Sequence, residues 1–350
     1  MKNNYPSAQH FLTVKKKGLA AKKSFWTARL QNLEYTKHYF RLFFPFIGAT
    51  IAFLLQISLP TSAAYTQAEL PYYTYFTIVT MVITAVCASY YLATKRNQTF
   101  LYQGYFLGTA FLALALYNLA TIKFSWLKIL FFPSPERILS VFVNDGRFIL
   151  ECVAHSSALL GLGLLFGVTT GLLTGILIGW NKNWSYWLDP IVKVLGPIPS
   201  TAFVPVALSA FATSYQASVF LIALSVWFPV TVLTNSGISN VKNSFFEVAS
   251  TLGASEFQKV VKVAIPSALP NIFVGLFNGT VSSFLTLMTA EMLGVKYGIG
   301  WYINWQREIM GYANVYAGLI TIAIWFSLII TVLFKIRDHF LKWQKGFIRW

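Results

Sequence analysis

The amino-acid sequence predicts an all-α protein that crosses a membrane several times. Three observations lead to this prediction: 56% of the 350 residues are hydrophobic, only 11% are charged, and the apolar residues fall in runs long enough to span a bilayer. Soluble domains average about 25% charged residues, so a soluble fold is excluded. The net charge of +16 does not indicate nucleic-acid binding, because the basic residues lie in the tails and between the apolar runs, where they orient membrane proteins.

The chain begins with a basic segment, residues 1–41, in which nine lysines and arginines accompany one acid. No short apolar core with a small-residue cleavage site follows at once, so we expect a cytoplasmic tail rather than a cleaved signal. This tail either lies on anionic lipid or is a solvated orientation signal. Apolar runs then predict eight spans, at about 42–59, 72–94, 103–122, 153–180, 199–214, 217–240, 270–293 and 313–335.

The distribution of basic residues predicts that both termini are cytoplasmic. With eight spans and the amino terminus inside, 21 lysines and arginines lie inside and six outside, as the positive-inside rule requires. The segment from Phe124 to Arg147, with Pro133-Ser134-Pro135 near its centre, is predicted to lie at the outer interface. The tail 338–350 alternates basic and aromatic residues, which is typical of an interfacial helix on the cytoplasmic side.

No metal or cofactor site is expected. Cys87 and Cys152 lie in or at the edge of apolar spans, and the four histidines show no ligand spacing. The chain also lacks the phosphate loop G-x-x-x-x-G-K-[ST], so it should not hydrolyse ATP itself.

A polar stretch from Asn243 to Pro270 separates the sixth and seventh spans. We expect two short amphipathic helices joined at Gly253, where a residue tolerant of positive φ ends the first helix. Capping-box patterns start at Ser244 and Ser255, and Pro266 and Pro270 suit the opening turn of the next span. Apolar residues recur at helical spacing in both halves: Phe245, Val248, Ala249 and Leu252, then Phe257, Val260, Val261 and Ile265.

Glu247-Val248-Ala249, Gly253 and Val263-Ala264-Ile265-Pro266 together resemble the E-A-A signature of permease subunits of ABC importers. Val248, Val263 and Ile265 depart from that pattern conservatively. In that family the loop docks on the ATP-hydrolysing subunit. The resemblance therefore implies a coupling loop over 243–266, with the coupling role carried by Glu247, Ala249, Gly253, Ala254, Ile265 and Pro266. The alternative is that Glu247 and Gly253 only cap and stop helices, as in any loop.

The resemblance extends along the chain through five short motifs in order: Pro133-Ser134-Pro135-Glu136, Leu188-Asp189-Pro190, Pro197-Ile198-Pro199, Phe228-Pro229 and Ala290-Glu291-Met292-Leu293-Gly294. These are similar to the nitrate, sulfonate, taurine and bicarbonate branch of importer permeases. The likeness implies a type I permease core of six transmembrane helices over 103–337. The extra transmembrane hairpin that the apolar runs predict at 42–100 is not covered by the likeness, and its role stays open. The likeness also implies three partners: a dimer of ABC ATPase subunits, a solute-binding protein and a second permease chain.

The fourth span carries a ladder of glycines four residues apart. Residues at this spacing share one helix face, so the ladder lets another helix approach closely. That helix belongs either to the same chain, which we favour, or to a second copy. The ladder consists of Gly163, Gly167, Gly171, Gly175 and Gly179.

The seventh span is the candidate wall of a solute pathway. Asn278, Ser282, Thr286 and Thr289 could line a passage, or could equally hydrogen-bond between helices or back to the backbone. Glu291, near the outer end of this span, is the fifth candidate pathway residue, because ionisable residues inside a membrane are expensive and therefore informative. Because a carboxylate suits an anion pathway poorly, we expect Glu291 to pair with a basic side chain or to cap a neighbouring helix.

These features predict a multi-pass permease subunit of the cell inner membrane, which binds no nucleic acid and relies on a separate ATPase to import a small solute, an anion by analogy with the branch. A secondary transporter or channel is the alternative, although ion coupling usually requires several buried carboxylates or histidines. A membrane enzyme is disfavoured, because neither H-E-x-x-H nor G-x-S-x-G occurs in the chain.

Overall fold

The structure is a computed structural model that describes residues 39–62, 71–94, 98–128 and 130–343. All regular structure within these ranges is helical. Most of the predicted basic tail and the end of the predicted carboxyl tail lie outside them. The helices are α1 Tyr39–Ser58, α2 Tyr72–Thr94, α3 Gln98–Asn118, α4 Pro135–Asn144, α5 Gly146–Trp180, α6 Lys182–Leu195, α7 Val204–Ala210, α8 Ser214–Ser239, α9 Asn243–Thr251, α10 Glu256–Lys259, α11 Ile265–Leu293, α12 Ile299–Glu308 and α13 Tyr312–Phe340.

Seven helical segments of the described chain are long and apolar enough to cross a membrane, and a bent pair of shorter helices brings the number to eight if it counts as one span. The long segments contain α1, α2, α3, α5, α8, α11 and α13. The prediction of an all-α polytopic membrane protein is confirmed. Since the chain divides into two compact units after Ser140, each unit is described separately.

The first unit contains α1, α2 and α3. Leu42, Ala88 and Tyr91 form its buried apolar cluster. The Lys123 ammonium, in a π-helical turn that continues α3, donates hydrogen bonds to the backbone carbonyls of Gln56 and Leu59 at 2.8 and 2.6 Å. These carbonyls stand at the end of α1, where helices leave acceptors without partners, so the lysine satisfies them.

The second unit is organised by α5, α8 and α11. The glycine ladder of α5 lies against α8: a Cβ built on Gly171 would be 2.9 Å from Val230 Cβ, and one on Gly175 would be 2.6 Å from Thr234 Cβ. Both distances are shorter than real side chains allow. The ladder therefore permits close packing within the chain, the alternative that the sequence favoured.

The bent pair replaces the predicted fifth span at 199–214. Helix α6 and the segment Ser200–Ala210 meet at an angle of 86°. Three prolines account for the break: Pro197 and Pro199 lie between the two helices, and Pro205 stands in the first turn of α7, which its missing N–H tolerates. The predicted continuous span was wrong here, and α8 begins at Ser214 rather than at residue 217.

Candidate functional site

The turn between α9 and α10 has the geometry of a helix stop built on glycine. Gly253 has φ +78°, the N–H of Gly253 donates to the Ser250 carbonyl at 2.9 Å, and the N–H of Ala254 donates to the Ala249 carbonyl at 3.0 Å. This pair of bonds is the Schellman motif, which needs a residue in the left-handed region at the position of Gly253. The predicted coupling residues Ala249, Gly253 and Ala254 thus form one backbone motif.

The two capping predictions had different outcomes. Ser255 accepts a hydrogen bond from Gln258 N–H at 3.4 Å, and the Gln258 side chain accepts one from Ser255 N–H at 3.0 Å, so the second capping box is confirmed. The first was wrong: Ser244 lies inside α9, whose N-cap is Lys242 without a side-chain cap bond. The backbone carbonyl of Lys242 already accepts from Phe245 N–H, so the helix starts two residues earlier.

The second coupling helix is joined to the membrane span. After α10, a π-helical turn at Val260–Ala264 leads directly into α11, so one helical run extends from Glu256 to Leu293. The wider turn fits the neighbouring Pro266, which has no N–H and would interrupt an α-helical ladder. The predicted separation of a short helix from a span starting at about 270 was therefore wrong.

Phe246 attaches the stretch to the membrane helices. Its ring meets Trp180, the last residue of α5, edge to face at a centroid distance of 5.4 Å. Both rings pack on a buried cluster of Ile238, Ala264 and Ala268, which joins the end of α8 to the start of α11. The sequence pattern left Phe246 out of the apolar stripe, so this contact was missed. The ends of three spans thus support the stretch.

The other face of the stretch is apolar and exposed. Leu252 is 82% exposed and Phe257 is 76% exposed. Because α9 and α10 are too short to cross a membrane, apolar side chains grouped on one exposed face are available to a partner or to the membrane surface. The remaining exposed members of this face, which we call the coupling face, are Phe245, Val248 and Val261. Of the other predicted coupling residues, Glu247 is exposed on α9, and Ile265 and Pro266 are half-buried at the start of α11.

A polar cavity of about 400 Å³ lies where the α6–α7 bend faces α8 and α11. The Ser200 and Thr286 hydroxyls are 2.7 Å apart and hydrogen-bond to each other across its wall. Ser282 of α11 and Pro229 of α8 also line the cavity. Two of the four predicted pathway residues with polar neutral side chains, Ser282 and Thr286, therefore meet here, together with Ser200, which the sequence did not suggest. Asn278 is exposed and Thr289 is half-buried elsewhere on α11.

Glu291 is 1% exposed and caps a short helix at the opposite end of the bundle from the coupling face. Its Oε2 accepts from the Gly300 N–H at 2.8 Å, in the first turn of α12. Its Oε1 accepts from the Ser156 hydroxyl at 2.6 Å, and that hydroxyl oxygen accepts from the Ile299 N–H at 2.9 Å. Of the two roles considered for Glu291, the structure shows the cap, which suits a carboxylate at a helix N-terminus.

Asp145 is the centre of a second hydrogen-bonded group, at the same end of the bundle as Glu291. Its Oδ2 accepts from the Asn314 amide at 2.7 Å and from the Tyr302 hydroxyl at 3.4 Å. Burial raises the pKa of Tyr302 to about 12, so its hydroxyl remains a donor. With Glu291, these contacts fasten α12 to α5, α11 and α13. In the ranges that the structure describes, no group of three His, Cys, Asp or Glu side chains could hold a metal ion.

Comparison with known proteins identifies the family to which the chain is similar. Residues 167–345 match the family model described as "Binding-protein-dependent transport system inner membrane component". A protein of Bacillus subtilis (strain 168) described as an aliphatic sulfonates transport permease, SsuC, is 34% identical over 53% of this chain and 67% of its own length. The nitrate import permease protein NrtB of Leptolyngbya laminosa is 33% identical over 48% of this chain and 62% of its own.

The taurine transport system permease protein TauC of Escherichia coli (strain K12) is 28% identical over 56% of this chain and 74% of its own. A solved structure of the MetNI methionine ABC transporter in inward-facing conformations aligns over 56% of this chain and 98% of that one, with a TM-score of 0.47 and 19% identity. The family match covers half of the chain, and the three named relatives are described as transport permeases. The chain therefore belongs to the family of inner-membrane components of binding-protein-dependent transport systems and is the membrane-spanning permease of an ABC importer.

Proposed function

We propose that this permease imports a small anion and is driven by a separate ATPase that docks on the coupling face. The observation that carries the proposal is the two-sided coupling stretch. One side packs through Phe246 on the ends of three spans, and the other presents Leu252, Phe257 and their apolar neighbours to solvent. A partner that binds this face applies force to the bundle directly.

The orientation that we propose places the coupling face and both termini in the cytoplasm, where ATP is available. Phe340, at the end of α13, meets Phe273 near the start of α11 at a ring-centroid distance of 6.1 Å, so the carboxyl end lies on the same side as the coupling face. The distribution of lysines and arginines along the sequence supports the same orientation. A solute-binding protein would then meet the opposite end, where Glu291 and Asp145 fasten α12.

The solute pathway that we propose passes the polar cavity at the α6–α7 bend. The cavity wall offers the hydroxyl groups of Ser200, Ser282 and Thr286, which can donate hydrogen bonds to an anion. A neutral hydroxyl binds an anion less tightly than a lysine or arginine side chain, so the anion can also leave. The cavity lies on one chain, and a second permease chain would complete the passage. The named relatives carry aliphatic sulfonates, nitrate or taurine, which are small and anionic or zwitterionic, so the proposed substrate is of this kind.

The test of the proposal removes apolar surface from the coupling face. Leu252→Ser with Phe257→Ser withdraws two exposed apolar side chains worth about 3 kcal/mol together at a buried contact, so binding of the ATPase should weaken on the order of 100-fold. The permease is co-expressed with its ATPase, and co-purification, ATP-dependent uptake into vesicles and thermal unfolding are measured. Uptake of nitrate, bicarbonate, an aliphatic sulfonate and taurine is compared in the parent protein.

The matched control is Thr251→Ala, an exposed polar side chain on the same turn. It should keep both co-purification and uptake. If the double variant retained the ATPase and transported at the parent rate, the coupling face would not be the docking surface.

A further inference from the structure

Helix α6 presents three faces of different chemistry. Leu188 and Leu195 are half-buried and Val192 is buried, so this face packs on the bundle. A second face is apolar but exposed, and Trp187 and Val194 on it are 70% and 67% exposed. Trp184 and Ile191 belong to the same exposed face.

The third face of α6 is polar and lies opposite the exposed apolar one. It carries Lys182, Asp189 and Lys193, and the last two form an ion pair along the helix. At 100° per residue, the centres of the polar and the exposed apolar sets are roughly 160° apart around the helix axis. A helix with this division fits a boundary between water and an apolar medium.

Both ends of α6 are attached to long apolar helices. At its start, Asn181 alone separates α6 from Trp180, the last residue of the α5 span, and the Asn181 side chain caps α6 by accepting from Asn183 N–H at 2.8 Å. At its end, the chain turns by 86° into Ser200–Ala210. Gly196 packs there against the Phe228 ring of α8, so the helix is tied to the bundle.

We propose that α6 is an interfacial helix whose exposed apolar face is covered by lipid. Trp184 and Trp187 would lie at the boundary between headgroups and acyl chains, the position that indole rings favour in membrane proteins. Lys182 and Lys193 would reach the headgroup region, where anionic phospholipids supply the complementary charge. The coupling face differs in this respect, because its exposed large side chains include no tryptophan or tyrosine.

The lipid contact has a consequence for the pathway. Because α6 leads into the bend that carries Ser200, the depth of α6 in the bilayer sets the position of one wall of the polar cavity. Lipid composition would thus act on the same wall as the solute. The inference holds for either orientation of the permease and does not depend on where an ATPase binds.

The experiment measures the depth of spin labels on α6 in vesicles of phosphatidylethanolamine and phosphatidylglycerol. Labels are attached to Trp187→Cys on the apolar face and to Lys182→Cys on the polar face. Leu252→Cys on the coupling face is the control, because Leu252 is also apolar and exposed. Collision with oxygen, which concentrates in lipid, is compared with collision with a water-soluble nickel chelate. Parent protein labelled at Cys87 and Cys152 supplies the background, and a Cys87→Ser, Cys152→Ala chain replaces it if the parent reacts.

The expected result is a reversal of the accessibility ratio: oxygen dominates at Trp187→Cys, and the chelate dominates at Lys182→Cys and Leu252→Cys. Chelate accessibility at Trp187→Cys equal to that at Leu252→Cys would show that the face meets water and would overturn the proposal. Protection of Trp187→Cys from both reagents would also overturn it, because a protein surface would then cover the face. Thermal unfolding of each labelled chain is compared with that of the parent, to check that the substitutions leave the bundle folded.

Discussion

Replacing Gly253 by valine is expected to uncouple the permease from its ATPase while the membrane spans stay folded. The φ of +78° at this position costs a residue with a Cβ about 1–2 kcal/mol, and a β-branched side chain fits it worst. No atom lies within 4 Å of a Cβ built on Gly253, so the substitution causes strain without a steric clash. The chain relieves the strain by giving up the Ala254 to Ala249 hydrogen bond that orients α9 against α10.

The size of the effect follows from this local cost. A penalty of about 1–2 kcal/mol lowers the population of the docking-competent turn by a factor of about 5–30. ATP-dependent uptake into vesicles should fall by a similar factor, whereas thermal unfolding of the spans should be unchanged. Gly253→Asn should keep most of the uptake, because asparagine tolerates the left-handed region.

Gly161→Val is the matched control for this prediction. Gly161 is exposed in the middle of α5, has no atom near its Cβ position and does not have a positive φ. This variant should transport like the parent. Equal uptake by Gly253→Val and Gly161→Val would refute the reasoning, because the backbone conformation at Gly253 would then be irrelevant to coupling.

Three further predictions concern the packing of Phe246, the hydrogen bond of Thr286 and the buried carboxyl of Glu136 in the first turn of α4. Phe246→Ala removes the ring that packs on Trp180 and should lower the free energy of unfolding by about 1–3 kcal/mol, whereas exposed Phe245→Ala should leave it unchanged in thermal unfolding. Thr286→Val keeps the shape of the cavity wall but removes its bond to Ser200, so uptake should fall without loss of thermal stability; unchanged uptake would exclude this wall from the pathway. Burial raises the pKa of Glu136, so stability should decrease as pH rises from the ordinary 4.5 through the raised value, and Glu136→Gln should remove this pH dependence in thermal unfolding.

Local backbone chemistry made part of the site predictable from the sequence. The positive φ at Gly253 and the capping box at Ser255 depend on residues within three positions of each other, so local side-chain types predicted both. The same pattern at Ser244 was misleading, because the chain starts α9 two residues earlier. Phe246 could not be recognised in this way. The role of Phe246 in attaching the stretch to the spans depends on Trp180, which is 66 positions away in the sequence. The two rings come close only after α5 and α8 have packed.

The membrane helices also include some that the sequence predicted and some that it did not. Apolar runs located most spans to within a few residues, because a span must be long and continuous to cross lipid. The α6–α7 pair escaped this rule, since neither of its helices is long enough alone and its prolines are compatible with a kinked span as well as with a bend of 86°. The polar cavity was equally unpredictable, because Ser200 and Thr286 meet only across that bend.

The fusion of α10 with α11 makes one rod about 57 Å long at 1.5 Å per residue, from Glu256 to Leu293. Thr286 and Glu291 sit on the same rod as Phe257, so axial movement at one tip must shift the cavity wall and the distant cap together. The π-helical turn Val260–Ala264 is the place where this rod would bend most easily, because its wider hydrogen-bonded rings depart from regular α-helical geometry. The stiffness of this turn would then determine how much of a displacement at Phe257 is transmitted to Thr286 and Glu291.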